Sequence, residues 1–392
     1  MQAYKKLVLK SGRERSLVNR HPWVFSGAVK ELPEAENGEI IQVTTNHGEL
    51  LGYGFFAPGS QITCRVFEFT AAEIAINCQF WIDKMLRAYA LRQLFIQPEQ
   101  TNIFRLLHAE GDFFPGVIVD VYADVAVVQL LIRGTERIKE TIVKGLNECG
   151  IPYVYLKTKS SSQLLEAVEA SGWVGERKEM PVIAKENGIR FRIDVETGQK
   201  TGFFIDQRVN RETLGAFARG KRVLNTFSYS GGFSMYALEQ GATLVHSVDS
   251  SKEAIALCNQ QVTENGYDAG KHEGFAEDVF EFMRKSETDY DIIVLDPPAF
   301  AKNAKAVPNA TRGYKNLNLV AFKKIKPGGL IFTFSCSQHI DKDLFRKIVF
   351  GAAADAGRNV RILRQLTQPE DHPINIYHPE GEYLKGLLLH VE

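Results

Sequence analysis

Residues 222–234 read R-V-L-N-T-F-S-Y-S-G-G-F-S. A short apolar strand runs into a polar turn, and helical spacing resumes through Tyr236 to Gln240. The paired Gly231 and Gly232 allow the backbone to turn tightly and to pass close to a ligand. The next strand, T-L-V-H-S-V-D, ends in Asp249, placed as an acid that accepts both hydroxyls of a ribose. A nucleoside cofactor fits this pattern. It is not the G-x-G-x-x-G of dinucleotide sites, and G-Q-K-T at 198–201 lacks the earlier glycine of a phosphate loop, which counts against NAD and ATP. Taken alone, the segment is equally a plain strand-to-helix turn with a solvent-facing Asp249.

Outward from this stretch the rhythm continues. Glu277-Asp278-Val279-Phe280 places Asp278 at a third strand end, where it could hold an adenine amino group. Y-D-I-I-V-L-D runs into D-P-P at Asp296 to Pro298, and G-L-I-F-T-F-S runs into Cys336. Apolar strands separated by helices predict an α/β fold with a parallel, doubly wound, Rossmann-like sheet, its ligand sites at the carboxyl ends of the strands. The order of Gly-rich turn, ribose acid, adenine acid and D-P-P resembles that of the class I S-adenosylmethionine-dependent methyltransferases. S-adenosylmethionine is therefore the expected cofactor.

The flanking regions differ in character. Residues 1–72 read as short strands (K-K-L-V-L-K, I-I-Q-V-T-T, L-L-G-Y-G-F-F, I-T-C-R-V-F) broken by Gly38, Gly48 and Pro58-Gly59, which predicts a compact β-barrel. Residues 73–187 predict a small α/β middle domain. Its helices span Glu73 to about Gln97, stopped by Pro98, and Glu136 to Cys149, stopped by Gly150. Residues 188–392 form the doubly wound domain. The 392 residues suffice for several cores, and 44% hydrophobic with 24% charged residues is an ordinary soluble composition. No apolar run reaches the roughly 18–20 residues of a membrane span, and the N-terminus lacks a signal-peptide pattern, so a cytoplasmic address with no membrane partner is expected. Net charge is zero, yet Lys5, Lys6, Lys10, Arg13, Arg15, Arg20 and Lys30 face only Glu14 between residues 5 and 30. Five widely spaced cysteines argue against a disulfide framework and against a metal site.

T-G-F-F-I-D-Q-R (201–208), N-T-F-S-Y-S-G-G-F (225–233), L-D-P-P-A-F (295–300), R-G-Y-K (312–315) and F-S-C-S (334–337) together resemble the bacterial large-subunit rRNA cytosine-C5 methyltransferase family. G-R-E-R-S-L-V-N-R-H-P-W-V-F-S-G (12–27) resembles that family's PUA domain, a small RNA-binding barrel. The resemblance implies a cofactor site of Phe204, Asp206, Gln207, Arg208, Asn225, Phe227, Ser228, Gly231, Gly232, Asp249, Ser250, Asp278, Val279, Asp296 and Pro297. It implies substrate contacts at Pro298, Phe300 and Lys315, large-subunit rRNA as partner, and leaves a homodimer open. Asn225 departs from the acid that often ends the first strand. Phe300 stacks on a base or belongs to the core, Lys315 meets phosphate or solvent, and His372 in D-H-P and Lys385 in Y-L-K-G are family-like, though a structural histidine and a surface lysine explain them equally well.

Cytosine C5 is not nucleophilic, so its methylation needs a group added at C6. A thiolate suits this role, because cysteine is intrinsically nucleophilic once ionised. Cys336, set between Ser335 and Ser337 at a strand end, is the expected nucleophile, while Cys64, Cys78, Cys149 and Cys258 read as packing residues. Asp296 would hold the N3/N4 edge. Where some related RNA enzymes carry a second cysteine, this chain has Ala299, so the base that removes the C5 proton is unassigned. Two rivals stand beside this reading. An N-methyltransferase on an exocyclic amine would use D-P-P with an aromatic residue but not Cys336. An RNA-binding ribosome assembly factor with a vestigial pocket would need neither.

Overall fold

The computed structural model describes residues 4–158 and 171–392. The chain divides into two compact units, one of Met1–Lys185, Ile193–Ile205 and Glu370–Gly381, the other of Glu186–Arg192, Asp206–Pro369 and Glu382–Glu392.

In the first unit a mixed six-stranded sheet runs in the order Trp23–Phe25, Ile62–Glu68, Leu50–Phe56, Ile40–Thr44, Lys6–Leu9, Val29–Glu31. Alternating apolar side chains, among them Leu7, Leu9, Val24, Ile41, Val43 and Val66, close one core. A five-stranded sheet follows, in the order Gly172–Val174, Tyr153–Leu156, Val125–Leu130, Val117–Tyr122, Ile103–His108. The helix expected from Glu73 begins only at Cys78 and ends at Gln93. Asn77 explains the start: its backbone is extended and its side chain accepts the Phe80 amide, a helix N-cap that the apolar spacing did not reveal. The second expected helix runs Lys139–Glu148, preceded by a separate turn at Arg133–Glu136.

The second unit carries a seven-stranded sheet: β1 (Arg222–Thr226), β2 (Leu244–Asp249), β3 (His272–Ala276), β4 (Tyr290–Leu295), β5 (Ile325–Ser335), β6 (Val360–Leu366) and β7 (Lys385–Val391). Their order is β3-β2-β1-β4-β5-β7-β6. The run from β3 to β5 is parallel, as apolar strands alternating with helices dictate. The sheet is not parallel throughout, because β7 lies antiparallel between β5 and β6. Helices α1 (Arg208–Ala218), α2 (Gly232–Glu239), α3 (Lys252–Glu264), α4 (Val279–Lys285), α5 (Val307–Lys324) and α6 (Lys342–Ala356) connect and cover it. Leu224, Val248, Phe282, Ile293, Leu317, Phe322 and Phe345 share one buried cluster. Thr226 lies opposite Leu295, and Leu295 opposite Thr333, so the chain leaves β1, β4 and β5 along one edge. Among the described residues no helix is long and apolar enough to cross a membrane.

Candidate functional site

After β1 the chain folds on itself. Phe227, Tyr229 and Gly231 take left-handed conformations (φ 53°, 47° and 82°), and Gly231 opens α2. A Cβ at Gly231 would lie 2.3 Å from Cys258 Sγ, so the turn requires glycine on both conformational and steric grounds. Asp249, at the end of β2, fastens this loop to its own: Oδ2 accepts the Tyr229 amide and Oδ1 the Ser251 amide, both at 2.9 Å. Each oxygen retains a second lone pair for a ligand hydroxyl. Ser250 beside it is exposed. Asp278 follows β3 and caps α4 through Oδ1, from the Phe280 and Glu281 amides at 2.9 and 3.0 Å, while Val279 is buried. A capping role thus accounts for one oxygen of Asp278, and Oδ2 lies outside the cap.

Asn225 is buried in a polar chain: its amide donates to Ser234 Oγ at 2.9 Å, Ser234 meets Ser247 at 2.7 Å, and Ser247 meets His272 Nε2 at 2.8 Å. A carboxylate could not donate into this chain, which explains the departure from an acid there. Ser228 Oγ is buried and has no hydrogen-bond partner among the described residues. A buried hydroxyl in that state, next to a glycine turn and a strand-end acid, fits the polar groups of a nucleoside cofactor.

Further along the same unit, Asp206 Oδ2 accepts the Tyr383 hydroxyl at 2.8 Å, and Gln207 Oε1 accepts the Asn210 amide at 2.6 Å. Arg208 begins α1 and is buried. Phe204 belongs to the first unit, with Lys200 Nζ 4.3 Å from its ring centroid.

The exits of β4 and β5 converge on a cysteine. Cys336 follows β5, half-buried, with Sγ 4.0 Å from the carbonyl oxygen of Pro297, which is buried in the D-P-P segment. Asp296 is half-buried and Pro298 exposed. Ser337 anchors the turn: its Oγ meets the Tyr314 hydroxyl at 2.9 Å and accepts the Ala301 amide at 3.1 Å. Its carbonyl accepts Lys385 Nζ at 2.7 Å, and the Tyr383 carbonyl accepts the same nitrogen at 2.7 Å. Lys385 is therefore no surface lysine: it is 4% exposed at the start of β7. Burial pushes its ammonium down to about 8, opposed by Cys336, then Glu382 and Asp341, with Lys342 adding to the depression. Tyr383 was also absent from the sequence-based site. The signals in the sequence are the family-like Y-L-K-G at 383–386 and a lysine at the head of the apolar run G-L-L-L.

The remaining expected residues separate. The half-buried Phe300 ring packs on Tyr314 with centroids 4.6 Å apart. Lys315 pairs with Asp355 at 2.8 Å. His372 is buried in the first unit beside Asp371, as a structural histidine would be. Burial pushes the thiols of Cys258 and Cys149 up to about 12 and about 11, and that of Cys64 further, which makes them poor nucleophiles.

A doubly wound sheet with one antiparallel strand next to its edge strand, a left-handed glycine turn after the first strand and an acid ending the second together define a methyltransferase fold built for a nucleoside cofactor. Residues 165–381 match the family model of the S-adenosylmethionine-dependent methyltransferases, and residues 7–69 match a PUA-like domain. The chain belongs to the S-adenosylmethionine-dependent methyltransferase family. It is 42% identical to the ribosomal RNA large subunit methyltransferase I of Shewanella amazonensis, over 98% of this chain and 99% of that one. Among solved structures it is similar to a methyltransferase complexed with SAH (25% identity, TM-score 0.85, covering 98% of this chain and 99% of that one). It also shares its fold with a SAM-dependent methyltransferase from Streptococcus mutans (24% identity, TM-score 0.83, the same coverages).

Proposed function

We propose that the protein makes 5-methylcytosine in large-subunit ribosomal RNA, with Cys336 adding covalently to C6 of the target base. The observation that carries this reading is the position of Cys336, whose sulfur meets the D-P-P segment where β4 and β5 leave the sheet. The name of the 42%-identical relative supports ribosomal RNA as substrate. The Gly231 turn, Ser228, Asp249 and the α4 N-terminus at Asp278 would hold the cofactor, with Asp206 held in place by Tyr383. S-adenosylmethionine, when bound there, supplies an electrophilic methyl group.

The chain's own residues do the rest. Cys336 forms the bond to C6, which makes C5 electron-rich for methyl transfer; loss of the C5 proton to a base then restores the C5–C6 double bond and expels the thiolate. Asp296 accepts from the N4 amino group and steadies the N3 edge. The cytosine leaves its stack to reach these groups, as bases inside helical RNA must. The PUA-like domain contributes phosphate contacts: Lys6, Arg13, Arg15 and Arg20 are exposed and have no ion-pair partner among the described residues.

RNA carrying 5-fluorocytosine tests the mechanism, because fluorine at C5 blocks the elimination that frees the thiol. Wild type should form a trapped complex and Cys336→Ser none, while both bind SAH. Methylation by Cys336→Ser at near the wild-type rate would overturn the assignment and favour an exocyclic amine as acceptor.

A further inference from the structure

A lysine heading an apolar strand normally snorkels to water or loses its charge. Lys385 is buried, and its two bonded partners, the carbonyls of Ser337 and Tyr383, carry no formal charge. They take two of the three protons of an ammonium. The nearby acids have other work. Glu382 pairs with Lys342, and Asp341 caps α6 by accepting the Leu344 amide at 2.7 Å. What remains is Cys336. The antiparallel register sets Ser335 opposite Lys385, so Cys336 is the first residue past the paired strand, and the carbonyl of Ser337 just beyond it holds Nζ.

We propose that Lys385 is the positioning residue that keeps Cys336 as a thiolate, a role that rests on reading Cys336 as the nucleophile. The pair shares one proton. In the reactive form the Sγ–H bond is broken, the N–H bond is formed on Nζ, and the electron pair stays on sulfur for the bond to C6. When a base takes the C5 proton at the end of the cycle, the C5–H electrons restore the C5–C6 double bond, the C6–S bond breaks, and its electron pair returns to sulfur, whose charge the same ammonium balances. The depression of the Lys385 ammonium to about 8 brings its proton affinity close to that of a thiol, and Cys336 is first among the groups opposing that depression. The other charged groups around Lys385, Glu382 and Asp341 on one side of the balance and Lys342 on the other, come from the segment before β7 and from the start of α6.

Peptide-resolved alkylation by iodoacetamide on the full-length protein tests this. An ordinary thiol reacts about 25-fold more slowly at pH 7 than at pH 9, because its thiolate fraction falls by that factor. Wild-type Cys336 should slow by less than threefold. In Lys385→Met it should slow by about 20-fold, and Lys385→Arg, which restores a fixed charge, should return it to within threefold of wild type. The methylation rate of Lys385→Met should recover between pH 7 and pH 9, with SAH affinity unchanged, which a merely structural lysine would not produce. A wild-type Cys336 that follows a free cysteine derivative overturns the proposal without any variant. So does a Lys385→Met profile as flat as wild type. Failure of the underlying reading shows separately, as C5 methylation by Cys336→Ser.

Discussion

The Gly231-Gly232 turn rests on a buried ion pair, and removing one partner should unsettle both stability and cofactor binding. Arg211, on α1, donates from Nε and a terminal nitrogen to the two oxygens of Glu186 at 2.8 and 2.7 Å, and the Tyr236 hydroxyl donates to the same carboxylate at 3.0 Å. The side chains are 2% and 0% exposed. A Cβ on Gly232 would come within 3.1 Å of the Arg211 side chain, so the guanidinium stem is the floor of the turn. Glu186→Ala strips three donors of their acceptor and removes the buried carboxylate that faces the Arg211 guanidinium, at a cost of about 3–5 kcal/mol. For a unit of this size that corresponds to roughly 6–20 °C in Tm. Replacing both partners, as in Glu186→Met with Arg211→Met, should recover at least half of the loss, since an apolar pair needs no desolvation. Far-UV circular dichroism and hydrogen exchange over residues 208–239 are the appropriate assays, because Trp23, Trp81 and Trp173 all lie in the other unit. Calorimetry should show SAH affinity falling with the single substitution. A loss below about 1 kcal/mol, or a double variant no more stable than the single, would refute the argument.

Asp249→Ala should weaken SAH binding by roughly 2–3 kcal/mol, since it removes the proposed ribose acceptor and frees the Tyr229 and Ser251 amides that position the loop. Unchanged affinity by calorimetry would exclude Asp249 from the site. Burial holds His272 neutral, down to about 4, with a smaller push from His246. The unfolded chain therefore binds more protons between pH 6.5 and pH 4, so the stability tied to His272 is present above that window and lost as pH falls through it, by about 1–3 kcal/mol. Urea titrations at pH 7 and pH 4.5 should show a smaller difference in His272→Asn than in wild type; an equal difference would place the acid sensitivity elsewhere. Replacing Lys6, Arg13, Arg15 and Arg20 by alanine should lower the slope of log affinity against log salt for RNA by about 3. An unchanged slope would mean that the PUA-like domain contacts no phosphate through them.

What the sequence discloses here is what acts locally. A glycine pair, an acid closing an apolar strand, and D-P-P each carry their meaning within a few residues, so β1, β2 and β4 and their strand-end residues were readable in order. The departure at Asn225 was readable too, but its reason was not, because the chain of Asn225, Ser234, Ser247 and His272 joins three strands and a helix. The late start of the Cys78–Gln93 helix had the same origin in miniature: an N-cap competes with hydrophobic spacing, and spacing alone overshoots it.

Lys385 and Tyr383 lay beyond such reading because their importance is created by pairing. Nothing near residue 385 marks it as a neighbour of residue 336; the antiparallel insertion of β7 between β5 and β6 does that. The same insertion brings Tyr383 to two partners at once, its hydroxyl to Asp206 and its carbonyl to Lys385. Residues expected at the cofactor and residues expected at the nucleophile are thus tied through one tyrosine. A strand running parallel at that place would enter the sheet from the opposite end, and its first residues would lie away from the edge where β1, β4 and β5 deliver their loops. The antiparallel direction of β7 is therefore what puts an ammonium, rather than a strand's far end, beside the proposed nucleophile.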